Sequence, residues 1–355
     1  MIEKTFPMPG RFRGALPSQV AELSRLLTGG RGDRSLSYLS RPNFLSAYLR
    51  YFLPWNLYRL CLLLPSLDLK LSAGDIITDL GSGPLTFVSA LWMSRPDLRK
   101  LPLEFRCIDR CAPALEAGKK FFAALAGGSP WKLYTVRESV NFRTKNNAGK
   151  KQSALVCAVN LLNELYDDLP HSDTEGLRRI SANIARNMCN YASPSASILT
   201  VEPGVPHSGH FIAMLRAAFL ELDHPPLSPC THTAACPLSG GKKRWCHFSY
   251  ESVDAPKDLR RLSAAAGIPK ERLTLSYLLT GHAAARKNKS ARVVSDAFPL
   301  PDNCYGRYGC SEQGLVLLTG DEKRMDKTVS GALVTPIFAN GQRDAKSGAL
   351  LAEVQ

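Results

Sequence analysis

Three cysteines fall within seventeen residues around a proline-bracketed turn, Pro229-Cys230-Thr231-His232-Thr233-Ala234-Ala235-Cys236-Pro237-Leu238, followed by Trp245-Cys246-His247-Phe248. Thiolates bind soft and borderline metals, and prolines and glycines around them give the rigid, irregular backbone that a polydentate site needs. The spacing C-x5-C-x9-C is looser than the C-x2-C pairs of zinc ribbons. A cluster tolerates such spacing because each cysteine ligates a different iron. Three ligands do not close a site, so a fourth comes from elsewhere, with Cys310, Cys304, His232 and His247 as candidates. Cys61, Cys107, Cys157 and Cys189 lie on apolar runs and read as small core residues.

A second group is Asp79-Leu80-Gly81-Ser82-Gly83-Pro84-Leu85-Thr86. Glycines at a strand-to-helix turn permit positive φ and close backbone approach to a ligand, whose carboxylate or phosphate then meets free N–H groups at the helix start. Asp109 closes the next apolar run, where an acid takes ribose hydroxyls. Leu85 stands where a third glycine is often found. After the third apolar run comes Asn160-Leu161-Leu162-Asn163-Glu164, in which Asn160, Asn163 and Glu164 either line the site or cap the next helix. D-x-G-x-G followed by an acid resembles class I S-adenosylmethionine-dependent methyltransferases more than dinucleotide folds, which use G-x-G-x-x-G. Basic residues form a third group: Lys242, Lys243 and Arg244 inside the cysteine loop, Arg286, Lys287 and Lys289 further on, and Lys145, Lys150 and Lys151 earlier. Such clusters neutralise phosphates, and Trp245 stacks on a base or covers the metal site.

The elements that position these groups follow from periodicity. Residues 15–65 read as helical, with a Gly-Gly-Arg-Gly-Asp loop and an interruption at Pro54. Strands are expected at 76–80, 103–109, 153–160 and 196–202, with helices at 85–92, 112–126 and 176–191 between them. That alternation implies an α/β fold with a doubly wound, mostly parallel sheet. Residues 203–248 read as loop-rich, 270–279 and 291–297 as further strands, and the small, polar tail as partly disordered. Four segments are expected: a helical cap (1–70), the cofactor-binding core (71–205), a cysteine-rich metal-binding segment with C-terminal strands (206–325) and the tail (326–355).

The chain has 355 residues, 45% hydrophobic and 21% charged, the balance of an ordinary globular protein. Its net charge of +14 is not ordinary, and favours a polyanionic partner, RNA above an anionic membrane surface. Residues 48–64 are apolar but broken by Arg50, Asn56 and Arg59, too polar for a membrane span. Met1 to Arg13 lacks the apolar core of a secretory signal, so the ten cysteines are expected to be reduced. A transit peptide is poorly supported there, and a bacterial cytoplasm fits as well as or better than a mitochondrial matrix.

Taken in order, the helical cap, Asp79 to Pro84, Asn163-Glu164-Leu165, Val201-Glu202-Pro203-Gly204, the cysteine segment and Leu275-Ser276-Tyr277-Leu278 resemble the methyltransferase-like proteins of the ribosomal small subunit, across residues 20–320. The resemblance implies a class I methyltransferase fold that binds S-adenosylmethionine, carries a [4Fe-4S] cluster and acts on small-subunit rRNA; a monomer is expected. It implies Cys230, Cys236, Cys246 and Cys310 as cluster ligands, Cys310 matching better than Cys304. The long interval from Cys236 to Cys246 keeps zinc, helped by His232 or His247, as the rival metal. No Asn/Asp-Pro-Pro-aromatic motif follows the third strand, and no nucleophilic cysteine has a suitable context, so no catalytic residue is assigned. The alternatives are a non-catalytic RNA-binding assembly factor and a zinc-containing small-molecule methyltransferase.

Overall fold

The computed structural model describes residues 1–28, 38–140, 142, 152–166, 173–239, 244–282 and 289–354. The chain divides into two compact units, Met1–Asp168 with Glu251–Leu273, and Leu169–Tyr250 with Thr274–Gln355. This division differs from the four consecutive segments expected, because residues 251–273 return to the first unit.

The first unit opens with helices α1 (Ile2–Thr5), α2 (Gly10–Arg13), α3 (Leu16–Thr28), α4 (Pro42–Ala47) and α5 (Leu53–Leu63). Pro54 sits in the first turn of α5, where its missing N–H costs nothing, and a π-helical turn, Tyr48–Phe52, precedes it. The helical run therefore continues through Pro54 instead of breaking there. Next come β1 (Ile76–Leu80), α6 (Thr86–Ser94), β2 (Glu104–Asp109), α7 (Ala112–Ala126), β3 (Lys132–Arg137), β4 (Ser153–Val159) and α8 (Asn163–Tyr166). These strands pair in the order β3-β2-β1-β4, all parallel. The chain thus starts in the middle of its sheet and winds outward, as doubly wound nucleotide-binding folds do, and the strand ends after β1 and β4 meet where the order reverses. β3 escapes the sequence pattern because its alternation is weak and mostly exposed. Behind it, Trp92, Phe122 and Trp131 pack edge-on and stacked, with ring centroids 4.9–5.9 Å apart.

The second unit contains α9 (Thr174–Tyr191), β5 (Ala192–Pro203), α10 (Pro206–Leu220), β6 (Pro226–Ser228) and β7 (Phe248–Glu251); α11 (Lys257–Ala265) belongs to the first unit, and β8 (Arg272–Gly281) follows. Asp173 caps α9 by accepting the Gly176 N–H at 2.8 Å. β5 and β6 both run antiparallel to β8, and β7 also pairs with β8. α10 corrects the loop expected over 203–248. It is buried nearly all round, with His207, Ser208, Gly209 and Arg216 as covered as Phe211 and Leu215, so no amphipathic stripe marks it.

After β9 (Ala291–Val293), β10 (Phe298–Pro299), β11 (Tyr305–Ser311), β12 (Gly314–Gly320) and α12 (Glu322–Lys327), the tail forms β13 (Leu333–Val334), β14 (Pro336–Arg343) and β15 (Leu350–Val354). These strands make a seven-stranded sheet, β13-β9-β11-β12-β15-β14 with β10 on β11. The tail expected to be partly disordered is therefore ordered in the structure. β15 inserts parallel to β12 and buries Ala352 and Val354 against Val316, Leu318 and Met325. Among the described residues no helix is long and apolar enough to cross a membrane.

Candidate functional site

Two places in the chain gather chemistry-bearing side chains, one in each unit. In the first unit, the C-terminal ends of β1, β2 and β4 open on a cleft with about 980 Å³ of empty space, part of it open solvent. Asp79, Gly81, Ser82, Gly83, Asp109, Asn160 and Glu164 all line it. Asn163 begins α8 and is not among the lining residues. The sequence reading missed Tyr38, Leu39 and Tyr48 from the helical cap, and Arg110, which follows the acid at the end of β2. Arg110 was findable from that position alone, whereas the cap residues carry no signal of their own.

The glycine turn is built differently from the expectation. Gly81 and Gly83 take φ of +68° and +50°, as their lack of a Cβ allows. Their amides are already used, however: Gly81 and Ser82 donate to the Ile108 carbonyl at 2.8 and 3.1 Å, and Gly83 donates to Asp109 Oδ2 at 2.8 Å. The free N–H cradle for an anion is therefore not formed at these three residues. Leu85 keeps a left-handed conformation (φ 54°) despite its side chain, and is fully buried. Room for it comes from α7, where a Cβ on Gly118 would lie 2.4 Å from Leu85 Cδ1 and 2.5 Å from the Pro84 carbonyl carbon.

Asp109 is held rigidly, because its other oxygen accepts the Cys111 N–H at 2.7 Å. A carboxylate has about four acceptor positions, so each oxygen keeps a lone pair for a further donor. Arg110 Nη2 lies 3.2 Å from Glu164 Oε2, placing a cation and an anion together on the cleft wall. Arg59 reaches Asn160 Oδ1 at 2.8 Å, fixing a residue whose φ is +53°. Burial pushes the Tyr48 hydroxyl up to about 12, with Asp109 and then Glu164 adding to the effect, so it stays neutral.

Asp79 is the least satisfied group of the cleft. It is 1% exposed, its Oδ1 accepts the Cys157 thiol at 3.4 Å, and its Oδ2 has no hydrogen-bond partner. Burial raises its pKa to about 7, against the pull of the Cys157 thiol, while the Ser82 hydroxyl donates to the Asp79 backbone carbonyl at 2.7 Å. Cys157 is thus more than an apolar filler. Burial first, and then Asp79, push its own pKa well up, so it remains a thiol donor.

In the second unit, Cys230, Cys236, Cys246 and Cys310 lie within electrostatic reach of one another. Burial raises the Cys246 thiol well above its ordinary value, and the nearby Cys230, Cys236 and Cys310 raise it further. Cys310, on β11, is likewise raised by burial and then by Cys230 and Cys236. Cys304 stands apart, its Sγ 3.3 Å from the Gly320 carbonyl. His232 Nε2 lies 3.4 Å from Cys310 Sγ, whereas His247 stacks on Trp245 at 4.7 Å between centroids. Trp245 itself is committed, donating its indole N–H to the Gly204 carbonyl at 3.0 Å. Among the described residues no three His, Cys, Asp or Glu side chains gather tightly enough to hold one metal ion.

Of the basic clusters, Lys242, Lys243, Arg286, Lys287, Lys145, Lys150 and Lys151 lie outside the described residues. Arg244 donates through both Nη atoms to the Ser347 carbonyl at 3.3 Å and covers the Tyr308 ring, so it ties the cysteine loop to the C-terminal sheet. Lys289 is exposed.

The family model described as mitochondrial small ribosomal subunit Rsm22 matches residues 77–299, well over half of the 355-residue chain. The chain belongs to the Rsm22 family. The match runs from β1 to β10, and so covers the strand-end residues of the cleft, though not Tyr38, Leu39 and Tyr48, and the first three cysteines of the thiol group while ending before Cys310. No curated protein sequence matches this Rsm22-family chain. Among solved structures it is similar to a putative methyltransferase from Thermoplasma acidophilum, at 11% identity over 60% of this chain and 70% of that one, with a TM-score of 0.35. It is also similar to magnesium protoporphyrin IX methyltransferase from Synechocystis PCC 6803 with bound SAM (9% identity, 77% and 96% covered, TM-score 0.35). A SAM-dependent methyltransferase from Geobacter sulfurreducens in complex with S-adenosyl-L-homocysteine gives 11% identity, 65% and 91% covered, and a TM-score of 0.34. At such scores these likenesses carry no argument; the α/β reading rests on the strand order and the cleft.

Proposed function

We propose that this chain is a methyltransferase-like factor of the ribosomal small subunit that binds S-adenosylmethionine in the first unit and a structural [4Fe-4S] cluster in the second. The observation that carries the reading is the buried, half-satisfied Asp79 in a cleft at the strand-order reversal, in a chain of a small-ribosomal-subunit family. An unpartnered carboxylate oxygen fits a cationic amine, Asp109 offers its remaining lone pairs to ribose hydroxyls, and Arg110 supplies the cation for a carboxylate. Bound there, S-adenosylmethionine would supply an electrophilic methyl group. This chain's part is to orient it and to keep water out with Tyr48 and Leu39.

The thiol group fits a cluster better than zinc. Zinc draws thiolates to about 2.3 Å from one point; here the four thiols act on one another's ionisation. A cluster presents one iron to each thiolate and spreads its ligands. Cys230, Cys236, Cys246 and Cys310 would hold it, and it would join the cysteine loop to β11. The partner is small-subunit rRNA, which suits the net charge of +14, and the compartment is the one that holds the ribosome, the mitochondrial matrix by the family's description.

The non-catalytic assembly factor is favoured by one feature: the turn amides of Gly81, Ser82 and Gly83 are spent within the protein. The test is calorimetric titration with S-adenosylmethionine alongside anaerobic metal analysis. Saturable donor binding, weakened in Asp79→Asn, with about four irons and four sulfides per chain supports the reading. No donor binding leaves the scaffold, and one zinc without iron removes the cluster.

A further inference from the structure

A second cavity lies wholly within the second unit and holds about 740 Å³ of empty space, part of it open solvent. That is the size of a small-ligand site. Leu238 and Val294 give it a buried apolar base, and four half-buried rings line it, Trp245, His247, Phe298 and Tyr308. The rings are fixed before any ligand arrives. Trp245 packs on α10, where a Cβ on Gly209 would come within 2.6 Å of its Cδ1, and its indole N–H is held by the Gly204 carbonyl. His247 stacks on Trp245 with 23° between the ring planes. Its Nδ1 lies 3.1 Å from the Trp245 carbonyl, which can only accept, so the neutral ring carries its proton on Nδ1. Nε2 is then an acceptor, and it makes no hydrogen bond among the described residues. Phe298 and Tyr308 pair at 5.2 Å between centroids, and the Arg244 guanidinium covers Tyr308 at 5.6 Å. Asp296 adds an exposed carboxylate to the lining.

We propose that this cavity receives an unpaired nucleobase of RNA. The inference rests on the RNA reading above, and it adds the place where a base, as distinct from the backbone, is held. Every base has a π-face that stacks on an aromatic ring, and unpaired bases are the ones free to leave a helix and enter such a site. His247 is backed by Trp245 and tied by its Nδ1, so it loses little freedom when a base settles on it. Base N–H groups meet two acceptors, His247 Nε2 and the Asp296 carboxylate. The same carboxylate repels a phosphate, so the part of a nucleotide that enters is the uncharged ring. The backbone stays outside, where the net charge of +14 attracts it. Trp245 is thus the support of the stacking ring, and His247, turned away from Cys310, has a use of its own.

The experiment uses the full chain as wild type, His247→Ala and Phe298→Ala, and reads binding by fluorescence anisotropy at fixed salt. The probes are a short single-stranded RNA and an abasic strand of the same length, which keeps the ribose-phosphate backbone and its charge. Wild type is expected to bind the RNA more tightly than the abasic strand. Each variant should bind the abasic strand as wild type does and the RNA about fivefold or more weakly, the share of one stacked base. Should His247→Ala fail to fold, Phe298→Ala on β10 decides on the same readout. Equal affinity of wild type for the two strands overturns the proposal, as do losses in the variants that fall equally on both strands or on neither. Adenosine monophosphate added as competitor separates the two sources of a base: displacement of the RNA at comparable concentration makes the cavity a mononucleotide site and overturns the proposal too. A wild-type chain that binds neither strand removes the RNA reading itself, an outcome distinct from the others.

Discussion

Asp79 offers the sharpest test of the cleft. Folded and ligand-free, it holds its proton up to about pH 7, because burial leaves one carboxylate oxygen with no partner. In the unfolded chain it releases that proton near 3.8, the ordinary value of an aspartate. Between these limits the folded state binds more protons than the unfolded state, so stability falls as pH rises. The full contribution is present below the unfolded pKa and is gone above the folded one. At about 1.4 kcal/mol per pH unit, the loss across that window comes to about 4 kcal/mol. Asp79→Asn removes the titration. The amide oxygen still accepts the Cys157 thiol, while the new N–H₂ group lies where Oδ2 had no partner and costs about 1–3 kcal/mol.

Urea unfolding of the ligand-free chain at a series of pH values, followed by tryptophan fluorescence, reads this directly. Trp55, Trp92 and Trp131 all belong to the cleft-bearing unit. The variant is expected to be the less stable form at about pH 4 and to gain on wild type by about 1 kcal/mol per pH unit, overtaking it before about pH 7. A difference that stays flat across that range refutes the buried, protonated Asp79. Donor binding carries the opposite sign. A cationic amine pairs with the ionised carboxylate, so the affinity of wild type should rise up to tenfold per pH unit towards about pH 7, and that of Asp79→Asn should be weaker and flat.

Three further outcomes are expected. Gly118→Ala forces a methyl against Leu85 and the Pro84 carbonyl and should cost about 1–3 kcal/mol, read as a lower Tm; an unchanged Tm would mean that α7 does not lie on the glycine turn. Cys310→Ser should abolish iron retention while Cys304→Ser leaves it intact, and equal losses would dissolve the distinction between the two cysteines. Replacing Lys242 and Lys243 with Ala should flatten the salt dependence of RNA binding by a slope of roughly one per contacting residue. Arg244→Ala should chiefly lower stability, because its guanidinium is held by Ser347 and Tyr308; a full unit of lost slope from Arg244 alone would show that it contacts phosphate.

The parallel core was legible because β1, β2 and β4 are buried apolar runs ending in residues of distinct chemistry, Asp79, Asp109 and Asn160. What failed lacked a local period. α10 buries polar and apolar residues alike, so nothing in its spacing announces a helix. β14 and β15 look like a polar tail because β15 is held by pairing with β12, more than thirty residues earlier, and β14 by pairing with β15, and pairing leaves no composition signature. The cysteines were legible but not what holds their loop, since Arg216, which donates to the His232 carbonyl, is fourteen residues before Cys230 and reaches it only through the fold.

The glycine turn shows how one position's volume is set by another's. A third glycine after Gly83 would accept positive φ freely, yet Leu85 holds φ 54° there, at roughly 1–2 kcal/mol of backbone strain. That strain persists because the leucine side chain is completely buried, and burial of a leucine recovers about 1.5–3 kcal/mol. The exchange works only if the opposing helix gives up its own side chain, and Gly118 does so, with Pro84 and Leu85 within 2.7 Å of where its Cβ would stand. Leu85→Gly would relax the backbone but leave a cavity beside Gly118, so the variant should be less stable, by about 2–4 kcal/mol, despite the easier conformation. A Leu85→Gly chain as stable as wild type would show that the turn is held by its hydrogen bonds to Ile108 and Asp109 alone, and that the leucine contributes nothing to the shape of the cleft.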